Sequence, residues 1–585
     1  MTDRHGAAIL FLTIVVWMSV AHAGYRTPPH PMRQLTNDVE VVSGRRLLKA
    51  AAPLPTKYDL RDEEGKGTSY LSPIKDQLSY GTCWAHAAMV GIEYLLRKNE
   101  GIDADLSENN LANMHGFPTS FADGGTHEMA MAVFLREDGP TTEVLDPYPS
   151  IGTSVRERGV RIPRKIVLVP ARSSVSSATR LQADNEVIKR ALMQYGPLST
   201  SYYHGSSYLK GAAYYCKYRY GSNHAVAIVG WDDDYAASNF KTTPPGDGAF
   251  IIKNSWGTTI FDHGYTYVSY YDANLGFEPQ VAYMRLSKGE DYGRIYEHDP
   301  FGYVSSTGYG SATAHAMNVF TARRDEQLAA FGFYALKPNT TYSTKLIVNP
   351  VVSGGELVGT EYAVASGTAT EAGYEVLDFA ETVPVGAGTN FAIVVAMTTP
   401  NYTSPVAVMH NEVYSDGSPY VSGVKAIPGK SYLCPDPARY VWSDISAEGE
   451  YFCCKVYTKA LATGKTTCGD TPVAHSWLDS YSANHGTGDY LPSSFYGSYN
   501  ALSEHVASNQ RTIAASYAQG LDPDNATETN LTATISFDSS GKPVIGISPK
   551  NDALWSYTTL GSSDLHTWHP KSERDMFFKV KVEAR

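Results

Sequence analysis

The sequence predicts an α+β unit toward the N-terminus, a β-sandwich after it and a small mixed α/β module at the end. Three observations carry that expectation. Apolar or small residues recur at Trp84, Ala87, Ala88, Gly91, Ile92, Leu95 and Leu96, the i, i+3, i+4, i+7 spacing of a helix with one buried face, and Gly101 supplies a stop. Asn223 to Gly230 and Gly248 to Asn254 are two short apolar runs joined by a polar loop with Pro and Gly, which predicts an antiparallel pair of strands. From about residue 290 to 460 the chain turns to short β-branched and aromatic runs between Gly, Pro, Asn and Thr turns, among them Leu328 to Leu336, Lys345 to Val352, Phe391 to Met397 and Pro405 to Met409. Many short strands at that spacing predict a sandwich. With 585 residues the chain is too long for one hydrophobic core, so several units are expected.

The first element is an export signal. Arg4 and His5 precede an apolar run from Ala7 to Val20, and Ala21-His22-Ala23 ends it in small residues, so residues 1–23 read as a signal peptide. The run is shorter than the roughly 20 apolar residues a membrane span needs. A secreted protein, periplasmic or extracellular, is expected, with no membrane span once the signal is removed. Residues 24–54 are rich in Pro and basic side chains, including Arg45-Arg46, and read as a short pro-segment or a linker. A formal charge of −12 with no basic run argues against nucleic acid or anionic lipid as partners. Nothing resembles a phosphate loop or a zinc-ligand spacing, so neither a cofactor nor a metal is expected. Asp232-Asp233-Asp234 reads as an acidic turn, and Asp522-Pro-Asp524 lacks the glycine and spaced acids of a calcium loop.

The chemistry concentrates in the first unit. Cys83 opens the predicted helix six residues after Gln77. A thiol there meets unpaired backbone N–H groups and the positive end of the helix dipole, which favour the attacking thiolate. A thiolate needs a proton shuttle and a group that fixes the tautomer of the shuttle. In the predicted strand pair His224 starts one strand and Asn254 ends the other, so they become neighbours. The Asn254 amide oxygen can then accept from one ring nitrogen and leave the other facing Cys83.

At these residues the chain resembles the papain-like (C1 type) cysteine peptidases. The motifs are Asp59-Leu-Arg-Asp62, Gln77 through Trp84, Leu106-Ser107-Glu108, Gly124-Gly125, Asn223-His224-Ala225 and Asn254-Ser255-Trp256-Gly257, in family order. Cys83 and His224 are 141 residues apart, and His224 and Asn254 are 30 apart. The resemblance covers residues 55–285 and implies a two-lobed α+β catalytic domain, with Cys83 as nucleophile, His224 as base and acid, and Asn254 as its orienter. It further implies an oxyanion hole made by the Gln77 side chain and the Cys83 N–H, and hydrolysis of peptide bonds in proteins or peptides by an endopeptidase. Trp256 would cover the His224 to Asn254 bond, and Gly124, Gly125, Asn223, Ala225 and Ser201 would line the substrate cleft. Small, uncharged residues at Ser201 and Ala225 would suit an apolar or aromatic side chain two residues before the cut. The chain departs from the family at Tyr80, usually cysteine, at His86, usually phenylalanine and read here as structural, and at Ile260-Phe261, where Trp-Gly is usual.

The strand runs of residues 290–460, with Val383 to Phe391 at their centre, are similar to the lectin-like β domain that follows such peptidases in some secreted bacterial proteins. That implies a glycan or cell-surface contact. A second reading, a catalytically weak papain-fold binding protein acting in surface or glycan recognition, stays open. Residues 468–585 read as a C-terminal module, with helices at 476–480 and 501–521 and a hairpin around Ser539 to Lys542. Setting Cys83 aside leaves Cys216, Cys434, Cys453, Cys454 and Cys468, an odd number. Cys453 and Cys454 are expected to face opposite ways, each within reach of Cys434 or Cys468, while Cys216 has no candidate partner.

Overall fold

The computed structural model describes residues 53–459 apart from positions 64, 66, 137–139, 153, 155–162, 173–177, 287–291 and 354–355. Outside that span it describes the backbone of Met32–Leu35 and of strands between Lys465 and Ala584. The signal peptide, the predicted helices at 476–480 and 501–521 and the Asp522 turn lie outside the described residues. The predicted hairpin is present as Thr532–Phe537 paired antiparallel with Pro543–Ser548.

Helix α1, Cys83–Glu100, begins at the nucleophile candidate and ends where Gly101 takes φ 67°, a left-handed turn that returns its N–H to the Arg97 carbonyl. Every residue from Trp84 to Leu96 is buried, so the helix runs through a core and not along a surface. Two shorter helices lean on it: α2, Glu108–Met114, capped by Ser107, and α3, His127–Leu135, capped by Thr126. Helix α4, Ala178–Tyr195, covers the strand lobe. The two apolar runs form the expected antiparallel pair, His224–Asp232 with Ala249–Lys253, with Ala227 opposite Lys253. Leu198–Tyr202 pairs on the other side, with Ser201 opposite Ala225.

This sheet does not stop at the end of the first unit. It continues through Gln280–Leu286 and Pro163–Val169 to Gly373–Val385, then Glu326–Ala335, Cys454–Lys459 and Tyr292–Tyr296. Gly373, opposite Val167, makes the join possible, because an added Cβ would lie 1.9 Å from the Ile166 carbonyl oxygen. The two units therefore share one sheet. A second sheet, Glu356–Ala369, Thr340–Ser353, Asn390–Thr398, Thr313–Thr321, Ser431–Cys434 and Ser443–Asp444, faces its outer part. Phe331, Phe333, Leu346, Phe391, Ile393 and Val395 fill the space between them, giving the expected sandwich. Met32–Leu35 adds to the edge of Ser305–Gly308, so part of the predicted pro-segment or linker runs as a strand against the β domain.

The disulfide expectation fails for Cys434. Cys83, Cys216, Cys434, Cys453 and Cys454 are all free. Cys434 packs with Trp442 on the outer face of the second sheet, Cys454 faces the sandwich interior and Cys453 faces the core shared with the first unit. Three sulfurs in three cores cannot meet. The side chain of Cys468 lies outside the described residues.

Candidate active site

The helix start, the strand start and the strand end converge. Three backbone N–H groups, of Cys83, Trp84 and Ala225, point to the Cys83 sulfur, which brings the thiol against the residue that follows His224. His224 donates from Nε2 to Asn254 Oδ1 at 2.9 Å, and that oxygen also accepts from the Ser255 N–H at 2.9 Å. With its proton on Nε2, the imidazole keeps Nδ1 as its acceptor. Trp256 stacks over the His224 ring at 4.1 Å and 11°, shielding the bond. Both His224 and Asn254 are buried.

Gln77 is held from every side. Its backbone N–H donates to the Ser255 carbonyl at 2.8 Å, and its carbonyl accepts from Tyr148 Oη at 2.7 Å. In the side chain, Oε1 accepts from Ser255 Oγ at 2.7 Å while Nε2 donates to the Tyr80 carbonyl at 2.8 Å. One N–H of that amide remains for an incoming oxygen.

Burial acts on both members of the pair. Burial pushes the Cys83 thiol up from its ordinary value, and the three N–H groups oppose that rise without cancelling it. Burial likewise pushes His224 down to about 4, against the Asn254 bond, with His204 and His86 acting in the same direction as burial. The helix mouth alone does not ionise the sulfur. Burial thus works against the thiolate that the helix mouth favours, and against the charged imidazole.

The other sequence candidates divide. Gly124 adopts φ 96°, with open space where its Cβ would stand, so a neighbouring chain can lie against it. Gly125 is needed for a different reason: its Cβ would fall 2.4 Å from Trp84 Cε2. Asn223 is exposed, and its amide grips the backbone of His204, accepting at 2.7 Å and donating at 3.0 Å. Ala225 is the contact to Cys83 already described. Ser201 Oγ donates to the Glu278 carboxylate and lies 3.3 Å from Ser222 Oγ. A carboxylate therefore stands beside Ser201, where the sequence suggested an uncharged lining.

Sequence reading missed several supports. Lys253, just before Asn254, is fully buried, donates to the Pro73 carbonyl at 3.0 Å and is pushed down to about 8 by burial. Beside it Lys75 bridges Glu93 at 3.0 Å and Glu108 at 2.8 Å beneath the cleft. The signal was present, since a lysine ends the otherwise apolar run Ala249 to Ile252. His86 is buried as expected, with Nδ1 donating to the Thr82 carbonyl at 3.0 Å. His204 packs edge-on to Trp256 at 4.8 Å, and Phe261 lies 5.8 Å from Trp256, so the departure from the family adds an aromatic wall. The acidic turn is structural: Asp232 pairs with Lys57 at 3.0 Å and Asp233 accepts from Lys189 and Tyr270.

Residues 54–285 match the papain family cysteine protease model, and residues 295–458 match the lectin like domain model. The chain carries a papain-family cysteine protease domain followed by a lectin-like domain. The cysteine protease and lectin-like domains of Cwp84, a surface layer associated protein of Clostridium difficile, are similar in structure: TM-score 0.58 at 26% identity, covering 70% of this chain and 90% of that one. Clostridial Cwp84 after propeptide cleavage gives 0.57 at 26% identity, covering 69% of this chain and 99% of that one. Among curated proteins, the viral cathepsin of Cydia pomonella granulosis virus is 29% identical over 217 residues, 37% of this chain and 57% of its own length. The viral cathepsin of Adoxophyes honmai nucleopolyhedrovirus is 30% identical over 233 residues, 39% of this chain and 61% of its own length. The chain thus spans about three-fifths of these curated relatives. Among the described residues of the papain-family and lectin-like domains, no helix is long and apolar enough to cross a membrane.

Proposed function

We propose that this protein is an exported papain-like endopeptidase that hydrolyses peptide bonds in proteins or peptides through Cys83, His224 and Asn254. The observation that carries the proposal is the His224 to Asn254 bond, closed over by Trp256, beside a thiol that touches Ala225. As Cys83 Sγ attacks the scissile carbonyl carbon, its proton passes to His224 Nδ1 and the carbonyl oxygen gains the negative charge. The Cys83 N–H and the remaining Gln77 amide N–H stabilise that charge, which exists only near the transition state. His224 then returns the proton to the leaving amine as the C–N bond breaks, giving an acyl-thioester. Water, deprotonated by the same imidazole, releases the acid and restores the thiol. Asn254 keeps the imidazole in the one tautomer both steps use.

Gly124 and Gly125 bear the substrate backbone, and Ser201, Ala225 and Asn223 flank the side-chain pocket, with Glu278 as its charged member. Trp256 with Phe261 and His204 walls the side beyond the cut. The signal-like N-terminus supports export, and the lectin-like domain supports contact with a glycan or a cell surface. Loss of protein cleavage in Cys83→Ala, with a fall of about 10²–10³ in turnover for Gln77→Ala, tests the assignment. Unchanged cleavage in Cys83→Ala overturns it. The alternative is a catalytically weak papain-fold binding protein acting in surface or glycan recognition. Folded wild type that cleaves nothing in a proteome-derived peptide library would decide for that reading.

A further inference from the structure

The outer face of the second sheet carries a groove with its own chemistry. Strand alternation sends Leu346, Ile393 and Val395 into the sandwich and turns Lys345, Val394 and Ala396 outward. The register sets Ser343 and His315 on either side of Ala396, and Lys345 opposite Val394. Alanine at the centre of this row leaves a depression between larger neighbours. Pro437 and Trp442 raise one rim, and the edge-strand segment from Glu356 to Glu361 raises the other. The enclosed space is about 360 Å³, within the roughly 300–1,000 Å³ of small-molecule sites.

The polar groups around it are mixed in kind. Lys345 Nζ and Glu361 Oε2 lie 2.8 Å apart, each side chain about half exposed, so both can turn to a ligand. Ser343 adds a hydroxyl. Burial holds His315 below the usual histidine range, which keeps the ring neutral at pH 7 with one donor and one acceptor nitrogen. Two carboxylates against one ammonium repel an anionic ligand such as a phosphate. What remains is a small apolar floor ringed by groups that both donate and accept. That combination matches a pyranose, whose C–H face is apolar and whose hydroxyls do both.

We propose that this groove is a saccharide site that takes a neutral mono- or disaccharide, with the C–H face of the sugar on Val394 and Ala396 and its hydroxyls on Lys345, Glu361, Ser343 and His315. The proposal rests on the reading that the lectin-like domain contacts a glycan, and it gives that contact an address well apart from Cys83.

The test uses the full chain and two variants, Ala396→Phe, which fills the floor, and Lys345→Ala, which removes an exposed donor. Binding of glucose, galactose, mannose, rhamnose and N-acetylglucosamine and of their disaccharides is followed by saturation-transfer NMR and calorimetry, with peptide hydrolysis as the control. The expected result is saturable binding of at least one sugar, weakened tenfold or more in both variants, with hydrolysis unchanged. If no sugar binds the wild type, the glycan reading and the site both fall. If a sugar binds equally to wild type and to both variants, the glycan reading stands and this site falls. Should Ala396→Phe fail to fold, Lys345→Ala decides alone, because its side chain is more than half exposed and supports no core.

Discussion

Removing the ring that lids the base should change how fast the site works and, more tellingly, the pH at which it stops. His224 is held at about 4, roughly 2.5 units below its ordinary 6.5, and burial is the leading cause. At about 1.4 kcal/mol per unit, that is on the order of 3 kcal/mol in favour of the neutral imidazole. Trp256 is one of three aromatic groups against that ring, stacked at 4.1 Å, while Tyr202 and His204 stand at 6.0 and 6.2 Å. Trp256→Ala should therefore return about a third to a half of the shift, or about one unit. Relief of burial favours the charged form, so the imidazole pKa rises and the acid limb of kcat/KM moves up from near 4 toward 5. Water reaching the 2.9 Å bond to Asn254 should cost a further 0.5–1.5 kcal/mol, a threefold to tenfold loss at pH 7. The assay is kcat/KM on a fluorogenic peptide from pH 3.5 to 8 for wild type, Trp256→Ala and Trp256→Phe, with the phenylalanine variant expected close to wild type. A wild-type limb near 6.5, or an alanine variant whose limb coincides with wild type, would refute the argument that burial sets this base.

Further predictions share that logic. Asn254→Ala should lower turnover less than His224→Ala, since the orienter biases a tautomer while the base moves the proton; equal losses on the same peptide contradict the division of labour. Glu278→Gln should lower kcat/KM by about tenfold or more for peptides with Arg or Lys two residues before the cut and leave Leu or Phe peptides unchanged, as read from a substrate series. Uniform loss across the series would remove Glu278 from the pocket. His86, pushed down to about 3 inside the core, binds its proton at higher pH when unfolded than when folded. Its contribution is present above pH 6.5 and lost as the pH falls toward 3, so His86→Phe should flatten the acid side of the stability curve by up to about 1.4 kcal/mol per pH unit. Urea midpoints at pH 7 and pH 4.5 check this, and identical slopes for the two proteins would contradict it.

Much of the site was legible because its parts obey local rules. The helix starting at Cys83 follows from periodicity and ends at a glycine that takes the left-handed turn. The meeting of His224 and Asn254 follows from two short apolar runs that pair antiparallel. What lay hidden depends on the third dimension. Nothing near Ser201 in the chain announces that Glu278, 77 residues on, will place a carboxylate beside it. Helix position alone argued for a thiolate at Cys83, but desolvation, which opposes it, is a property of everything packed around a group. The shared sheet was equally invisible, since Pro163–Val169 and Gly373–Val385 lie far apart and neither carries a sign of its partner. Cys453 and Cys454 face opposite ways as expected, but which cores they enter could not be read from the chain, and Cys434 lies in a third.

The most direct test of the central claim is covalent. Wild type and Cys83→Ala are treated with an active-site-directed epoxide at pH 6, and the modified residue is mapped by mass spectrometry alongside peptide cleavage. A single adduct on Cys83, with cleavage abolished in step with labelling and no adduct on Cys216, Cys434, Cys453 or Cys454, is the result expected when Cys83 is the one partly exposed thiol among the described residues. Cleavage that survives full modification of Cys83, or that persists in Cys83→Ala, would show that this sulfur is not the nucleophile.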